Sequence, residues 1–370
     1  MDKSHKKILL VLGTRPEAIK MCPLIKELKK WDIFNVKVCV SGQHREMLEQ
    51  VLHTFEVLPD YDLAIMQQGQ TLYDITAKVL FGMKTVLEEF QPDIVLVHGD
   101  TTTAYAAALA AFYQRIPVGH VEAGLRTNNI YSPYPEEFNR QGIDLLADLY
   151  FAPTCKAKEN LIAEGKDEKK IYVTGNTGID ALFLTIKEDY QPVCLQGVES
   201  ARTIVVTAHR RENLGEPMYQ IFRAIRRILE EFPDVHAVYP IHMNPVVRKI
   251  AREVFEDCKN MHIIEPLMVK DFHNLLNQSY LIMTDSGGIQ EEAPALGKPV
   301  LVLRDTTERP EGVEAGTLKL IGTKEEDIYL ACKKLLTDKE EYESMSQAKN
   351  PYGDGTASKQ IVEILKDYWG

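Results

Sequence analysis

Short, strand-like apolar runs alternate with longer amphipathic stretches from one end of this chain to the other, and few folds accommodate that alternation. The first half reads as strands at Lys7–Leu12, Val36–Val40, Ile94–Val97, Pro117–Val121 and Leu149–Phe151. The second half repeats the pattern at Thr203–Thr207, Val235–Tyr239, Met261–Ile264, Leu281–Met283 and Val300–Leu303. Strand, helix and strand in succession imply βαβ units, parallel sheets and right-handed crossovers. A chain of 370 residues exceeds one typical domain, and about two is the expectation. The fold class expected is therefore α/β, with two Rossmann-like parallel-sheet domains facing a central cleft. The boundary is expected near Ile171–Asp180, where a strand runs into two glycines. That gives a first domain over 1–174, a second over 175–353, and a closing helix over 354–370 that packs back on the first. In that helix Ile361, Ile364, Leu365 and Tyr368 fall at i, i+3, i+4 and i+7, a single apolar face.

Composition removes several classes of partner. A formal charge of -11 and a pI of about 5.5 argue against a nucleic-acid backbone, so any phosphate recognition is local. The cysteines at 22, 39, 155, 194, 258 and 332 are scattered, with no CxxC and no His/Cys cluster, which fits a reducing compartment and no structural zinc. The amino terminus imitates a signal peptide, but its apolar run, Ile8–Leu12, is shorter than the roughly 7–15 residues an h-region needs. No stretch is long and apolar enough to cross a bilayer. A soluble cytoplasmic protein with no membrane partner is expected.

The segment Tyr280–Glu311 carries the sharpest chemical signal. Tyr280–Met283 reads as a buried strand, Asp285-Ser286-Gly287-Gly288 as a tight turn, Ile289–Leu296 as a helix stopped by Gly297, and Pro299–Leu303 as another strand. A strand turning through glycines into a helix aims backbone N–H groups and a positive dipole end at one spot, which suits phosphate. Glu292 falls one turn on, where a carboxylate reaches ribose hydroxyls. An ordinary βα turn would explain Gly-Gly alone; Ser286, Glu292 and the arginines of RDTTERPE favour a nucleotide diphosphate.

Ligands of open parallel sheets bind beyond the carboxyl ends of the strands, and polar residues gather there. Arg15 and Lys20 follow the first strand, each either a phosphate ligand or a solvated charge. Asp100 ends IVLVHGD, where it is either a helix N-cap or a cleft acid. Glu122 ends PVGHVEAG with no such structural role to fill. Glu136 opens a helix, where a carboxylate also complements the dipole, and Arg140 lies one turn further. His209 ends TIVVTAH. No serine or cysteine has a partner base, and Asp60-Tyr61-Asp62 lacks a preceding strand, so no metal is expected. No GxGxxG follows the first strand, so no nicotinamide cofactor is expected either. Acid/base work on a nucleotide-linked substrate remains.

GTRPEAIKM, HGDTTTA, VEAGLRT, PEEFNR, TAHRREN and DSGGIQEEAPALGKPVLVLRDTTERPE, with the closing helix, resemble the non-hydrolysing UDP-N-acetylglucosamine 2-epimerases across nearly the whole chain. The resemblance implies the glycosyltransferase-B architecture and a homodimer. It also implies interconversion of UDP-GlcNAc and UDP-ManNAc, which supplies ManNAc for bacterial surface polymers. The hydrogen on carbon 2 is not beside a carbonyl, so one base, worth about 10²–10⁴ in rate, is insufficient. The family eliminates UDP, forms 2-acetamidoglucal and adds UDP back after protonation on the other face. Asp100, Glu122 and Glu136 match its catalytic carboxylates. His209, with Arg15, Lys20 and Arg140, matches groups that bind or stabilise the departing UDP. Ser286, Gly287, Gly288 and Glu292 match diphosphate and ribose contacts, Arg309 a further nucleotide contact and Phe272 a uracil neighbour. Gln43, Gln70, Glu136, Arg210 and His242 resemble a second UDP-GlcNAc site that activates bacterial members. A UDP-GlcNAc-dependent glycosyltransferase of the same fold is the alternative reading, although a transferase needs no base for carbon 2.

Overall fold

The computed structural model describes residues 5–42, 45–67, 69–195 and 202–370, apart from the side chains of residues 45–47. The chain forms two compact units. One holds the chain as far as Leu184 and again from Tyr352, and the other holds Thr185–Pro351.

The first unit is built on a sheet of seven parallel strands: β1 (Lys6–Leu12), β2 (Phe34–Val40), β3 (Tyr61–Asp62), β4 (Ile94–His98), β5 (Val118–Val121), β6 (Leu149–Ala152) and β7 (Ile171–Val173), in the order 3-2-1-4-5-6-7. Ile8 to Leu12 and Ile94 to Val97 are fully buried. Such runs mark central strands covered by helices on both faces, and each large side chain contributes about 2 kcal/mol of burial. The helix Thr102–Tyr113 buries six alanines, at 104, 106, 107, 108, 110 and 111. Their small volume lets the flanking helices Leu72–Phe90 and Glu136–Leu146 pack close on either side.

The second unit carries a six-stranded parallel sheet: β8 (Arg202–Thr207), β9 (Val235–Pro240), β10 (Met261–Ile264), β11 (Leu281–Thr284), β12 (Val300–Val302) and β13 (Leu318–Leu320), in the order 10-9-8-11-12-13. Both sheets therefore reverse strand order at one place, between β1 and β4 in the first and between β8 and β11 in the second. In doubly wound sheets that switch point leaves a crevice beyond the strand ends.

Four details depart from the sequence reading. The short edge strands β3 and β13 were not expected. The first unit continues past position 174 to Leu184, through all but the last residue of the helix Thr177–Thr185. The helix after β11 starts at Gly287, and at Ala293 it tightens into a 3-10 turn that ends at Leu296. Pro294 has no N–H to continue the α ladder there. Finally, the buried face of the closing helix Ala357–Trp369 is Ile361, Val362 and Leu365, while Tyr368, expected on that face, is 43% exposed. Asp180 sets that rotation by accepting from the N–H groups of Ala357 and Ser358, at 3.2 and 2.7 Å.

Candidate active site

In the first unit Asp100 and Glu122 follow the adjacent strands β4 and β5. Asp100 leaves β4 through Gly99, whose φ of +63° is left-handed, the region in which glycine costs least. Its carboxylate forms a short ion pair with Arg140, and its carbonyl accepts from Asn139 Nδ2 at 2.9 Å. Asp100 is not the cap of the next helix: Thr101 is, accepting from Ala104 N–H at 3.0 Å. The acid is thereby left for other work. Glu122 follows β5 at φ +67°, a left-handed conformation that a non-glycine residue adopts at a cost of about 1–2 kcal/mol. It forms a short ion pair with Lys20, from the helix Arg15–Leu28, and both side chains are largely shielded from solvent. Glu136 opens the helix that supplies Asn139 and Arg140. Its neighbour Glu137 is fully buried and accepts from the N–H groups of Thr127 and Asn128, at 3.1 and 3.2 Å, fixing the loop before it.

Groups behind these acids went unassigned in the sequence. Glu17 is 2% exposed. Its carboxylate accepts from Gly13 and Thr14 N–H, at 3.0 and 2.6 Å, and from Thr101 Oγ1 at 2.8 Å, joining the turns after β1 and β4. Burial pushes this carboxyl up to about 7, against the pull of those donors. His98, the last residue of β4, points Nε2 at Glu122 from 3.7 Å and has no hydrogen-bond partner for that atom among the described residues. Burial is the main reason its pKa drops to about 3, so the ring is neutral at physiological pH. His120, two residues before Glu122, contacts Asp144 and the Gly99 carbonyl.

The second unit presents cations at its own switch point. Asp285, fully buried at the end of β11, accepts the N–H groups of His209 and Arg210, each at 2.8 Å, and so pins the turn after β8 to the turn after β11. The guanidiniums of Arg210 and Arg309 both reach Gly287: a β-carbon built there would lie 3.9 Å from one and 3.7 Å from the other. Arg309 also forms a short ion pair with Glu291. Glu292 Oε2 lies 3.9 Å from Nε2 of buried His273, whose Nδ1 is fixed by Thr185 Oγ1 at 2.6 Å. His209 stacks on His242, ring centroids 4.9 Å apart, and burial lowers its pKa against the opposing charge of Asp285. Ser286 precedes the Gly287 helix, and Phe272 packs half-buried beside the core under β11. Of the residues expected at a second site, Gln43 lies outside the described residues. Gln70 belongs to the first unit, with its buried Oε1 lacking a partner among the described residues. Arg210 and His242 flank His209. Arg15 is half-buried after β1.

Two doubly wound, all-parallel units with acids at one switch point and guanidiniums at the other define an enzyme of the nucleotide-dependent α/β class. A UDP-N-acetylglucosamine 2-epimerase family model matches residues 26–366. A UDP-N-acetylglucosamine 2-epimerase of Bacillus subtilis is 60% identical over 98% of this chain and 96% of its own length. A crystal structure of a putative UDP-N-acetylglucosamine 2-epimerase from Listeria monocytogenes superposes with a TM-score of 0.95, at 54% identity, covering 99% of this chain and 97% of that one. The Neisseria meningitidis UDP-GlcNAc 2-epimerase bound to UDP-GlcNAc superposes at 0.87, at 50% identity, covering 98% and 100%. The chain belongs to the UDP-N-acetylglucosamine 2-epimerase family, a family of isomerases.

Proposed function

We propose that this enzyme interconverts UDP-N-acetylglucosamine and UDP-N-acetylmannosamine without hydrolysis, by eliminating UDP, forming 2-acetamidoglucal and adding UDP back. The observation that carries the reading is the pairing at adjacent strand tips: Asp100 with Arg140, and Glu122 with Lys20. A carboxylate held by one cation can take up a proton, and the released cation can then meet the charge growing on a departing diphosphate. Inversion at carbon 2 needs proton removal from one face of the sugar and delivery to the other, hence more than one such group, with Glu136 the third acid. Arg210 and Arg309 beside Gly287, where no side chain obstructs approach, suit the diphosphate. Ser286 and Gly288 extend that contact, Glu292 takes ribose hydroxyls and Phe272 stacks near uracil.

UDP-GlcNAc also acts as an activator at a second site, and of the residues expected there His242 stacks on His209, next to Arg210. The relative bound to UDP-GlcNAc supports the ligand class. The enzyme works in the cytoplasm, where its product feeds surface polysaccharide, and no helix among the described residues is long and apolar enough to cross a membrane. It works as a homodimer. An apolar groove of about 800 Å³ in the first unit, rimmed by Tyr73, Phe81, Tyr134 and Phe138, all exposed, supplies a surface for a second copy.

Incubation with UDP-GlcNAc and no acceptor tests the reaction. The expected products are an equilibrium mixture of the two UDP-sugars. Accumulation of free ManNAc with UDP would mean a hydrolysing enzyme, and no change in the nucleotide sugar would end the proposal.

A further inference from the structure

His98 and His120 each sit two residues before an acid, and each reaches across to the neighbouring strand tip. His98 faces Glu122, while His120 grips the turn that carries Asp100. The His120 ring is fully buried, with Nδ1 2.6 Å from Asp144 Oδ1 and Nε2 2.7 Å from the carbonyl oxygen of Gly99. A backbone carbonyl only accepts, so Nε2 carries a proton. Asp144 is also fully buried. Its Oδ2 accepts from Gly124 N–H at 3.2 Å and from Arg126 Nη2 at 2.7 Å. Burial would raise the Asp144 carboxyl, but the His120 and Arg126 charges overcome it and hold it below the ordinary carboxylate range. With Gly124 N–H and Arg126 donating to its other oxygen, the Asp144 carboxylate only accepts, so Nδ1 carries a proton too.

Arg126 gives its other donors to the solvent-exposed Glu164, with Nε 2.6 Å from Oε1 and Nη2 2.7 Å from Oε2. Other ionisable groups facing this cluster include neutral His98 on β4, Glu122 beyond β5, Tyr150 on β6, whose hydroxyl donates to the Asp144 carbonyl at 3.0 Å, and Glu137 and Arg140 on the Asp144 helix, which pair with each other at 3.2 Å.

We propose that His120 is held as an imidazolium that clamps the Gly99 carbonyl, and that it is thereby a positioning residue for Asp100. The turn around Asp100 is held at successive carbonyls: Gly99 by His120, and Asp100 by Asn139. Both clamps come from the helix Glu136–Leu146, directly through Asn139 and through Asp144 behind His120, and the same helix provides Arg140 and Glu136. The second half of the proposal rests on the epimerase reading, and the first half does not.

The experiment labels the histidines of the full chain with 15N and records long-range ring correlations at about pH 8, well above the ordinary histidine range. Loss of one ring's signals in His120→Gln assigns them. The expected His120 ring has both nitrogens protonated, and in Asp144→Asn it reverts to one protonated nitrogen. A singly protonated His120 in the unsubstituted enzyme would overturn the proposal. In turnover, His120→Gln should lower kcat by about 10²-fold, the cost of a displaced catalytic group, with KM changed little. If that variant fails to fold, Asp144→Asn provides the same kinetic comparison. An unchanged kcat would refute the positioning role. A doubly protonated ring in a protein that turns over no UDP-GlcNAc would refute the proposed function while leaving the clamp in place.

Discussion

Acidification should cost the first unit stability through His98, by an amount that can be isolated. The ring is buried and its pKa in the folded protein is about 3, against an ordinary 6.5. Because the folded pKa is depressed and the ring is neutral, the unfolded chain takes up a proton below about 6.5 that the folded chain refuses. The unfolded state binds more protons, so stability rises with pH across this window and falls as pH drops from 6.5 toward 3. Each pH unit costs about 1.4 kcal/mol, so by pH 5 the loss is about 2 kcal/mol. Glu17 acts in the opposite direction. Its folded value is raised from 4.5 to about 7, so its contribution favours the folded state at low pH and is lost as pH rises through about 7. Replacing His98 with asparagine leaves Glu17 in place, so the difference between the two proteins isolates the histidine. The chain's only tryptophans, Trp31 and Trp369, both belong to the first unit, so their fluorescence reports on it in urea titrations. His98→Asn should lose about 2 kcal/mol less than the unsubstituted protein between pH 7 and pH 5. Parallel losses would refute the buried, neutral imidazole.

Asp100→Asn and Glu122→Gln should each lower turnover by about 10²–10⁴-fold or more with unchanged circular dichroism, because each removes an acid/base group without removing its bulk. Unfolding of either variant would make the carboxylate structural instead. Arg309→Ala should weaken UDP binding about 10–100-fold in calorimetry, the equivalent of one charge-assisted hydrogen bond; unchanged affinity would remove Arg309 from the nucleotide site. Gly124→Ala should destabilise the first unit by about 3 kcal/mol, combining left-handed strain with overpacking. Gly124 has φ +83°, and its new β-carbon would come within 2.9 Å of the Ala157 carbonyl carbon. A melting temperature equal to that of the parent would contradict this.

Central strands such as β1 and β4 were readable because strands covered on both faces are apolar at every position. The edge strands β3 and β13 were not. Tyr61–Asp62 contributes only two residues, and Leu318–Leu320 carries Lys319 between its leucines. Edge strands face less core and leave a weaker pattern. Asp100, Glu122 and Glu136 could be picked out because they follow an apolar run or open a helix, and position in a doubly wound sheet makes such residues candidates. Glu17, His98, His120 and Asp285 could not be assigned that way, since each acts through a residue on a neighbouring strand or turn. The sequence did hold one unread signal: HGD and HVE each place a histidine two positions before an acid. Register between β4 and β5, which sets His98 opposite Val121, was needed to see which tip each histidine serves.

Running the reaction in D2O tests the mechanism most directly. UDP-GlcNAc and UDP-ManNAc recovered after partial turnover should both carry deuterium at carbon 2, and prolonged incubation should release traces of UDP and 2-acetamidoglucal. Formation of UDP-ManNAc with the original hydrogen retained at carbon 2 would contradict elimination and re-addition through exchangeable carboxylates.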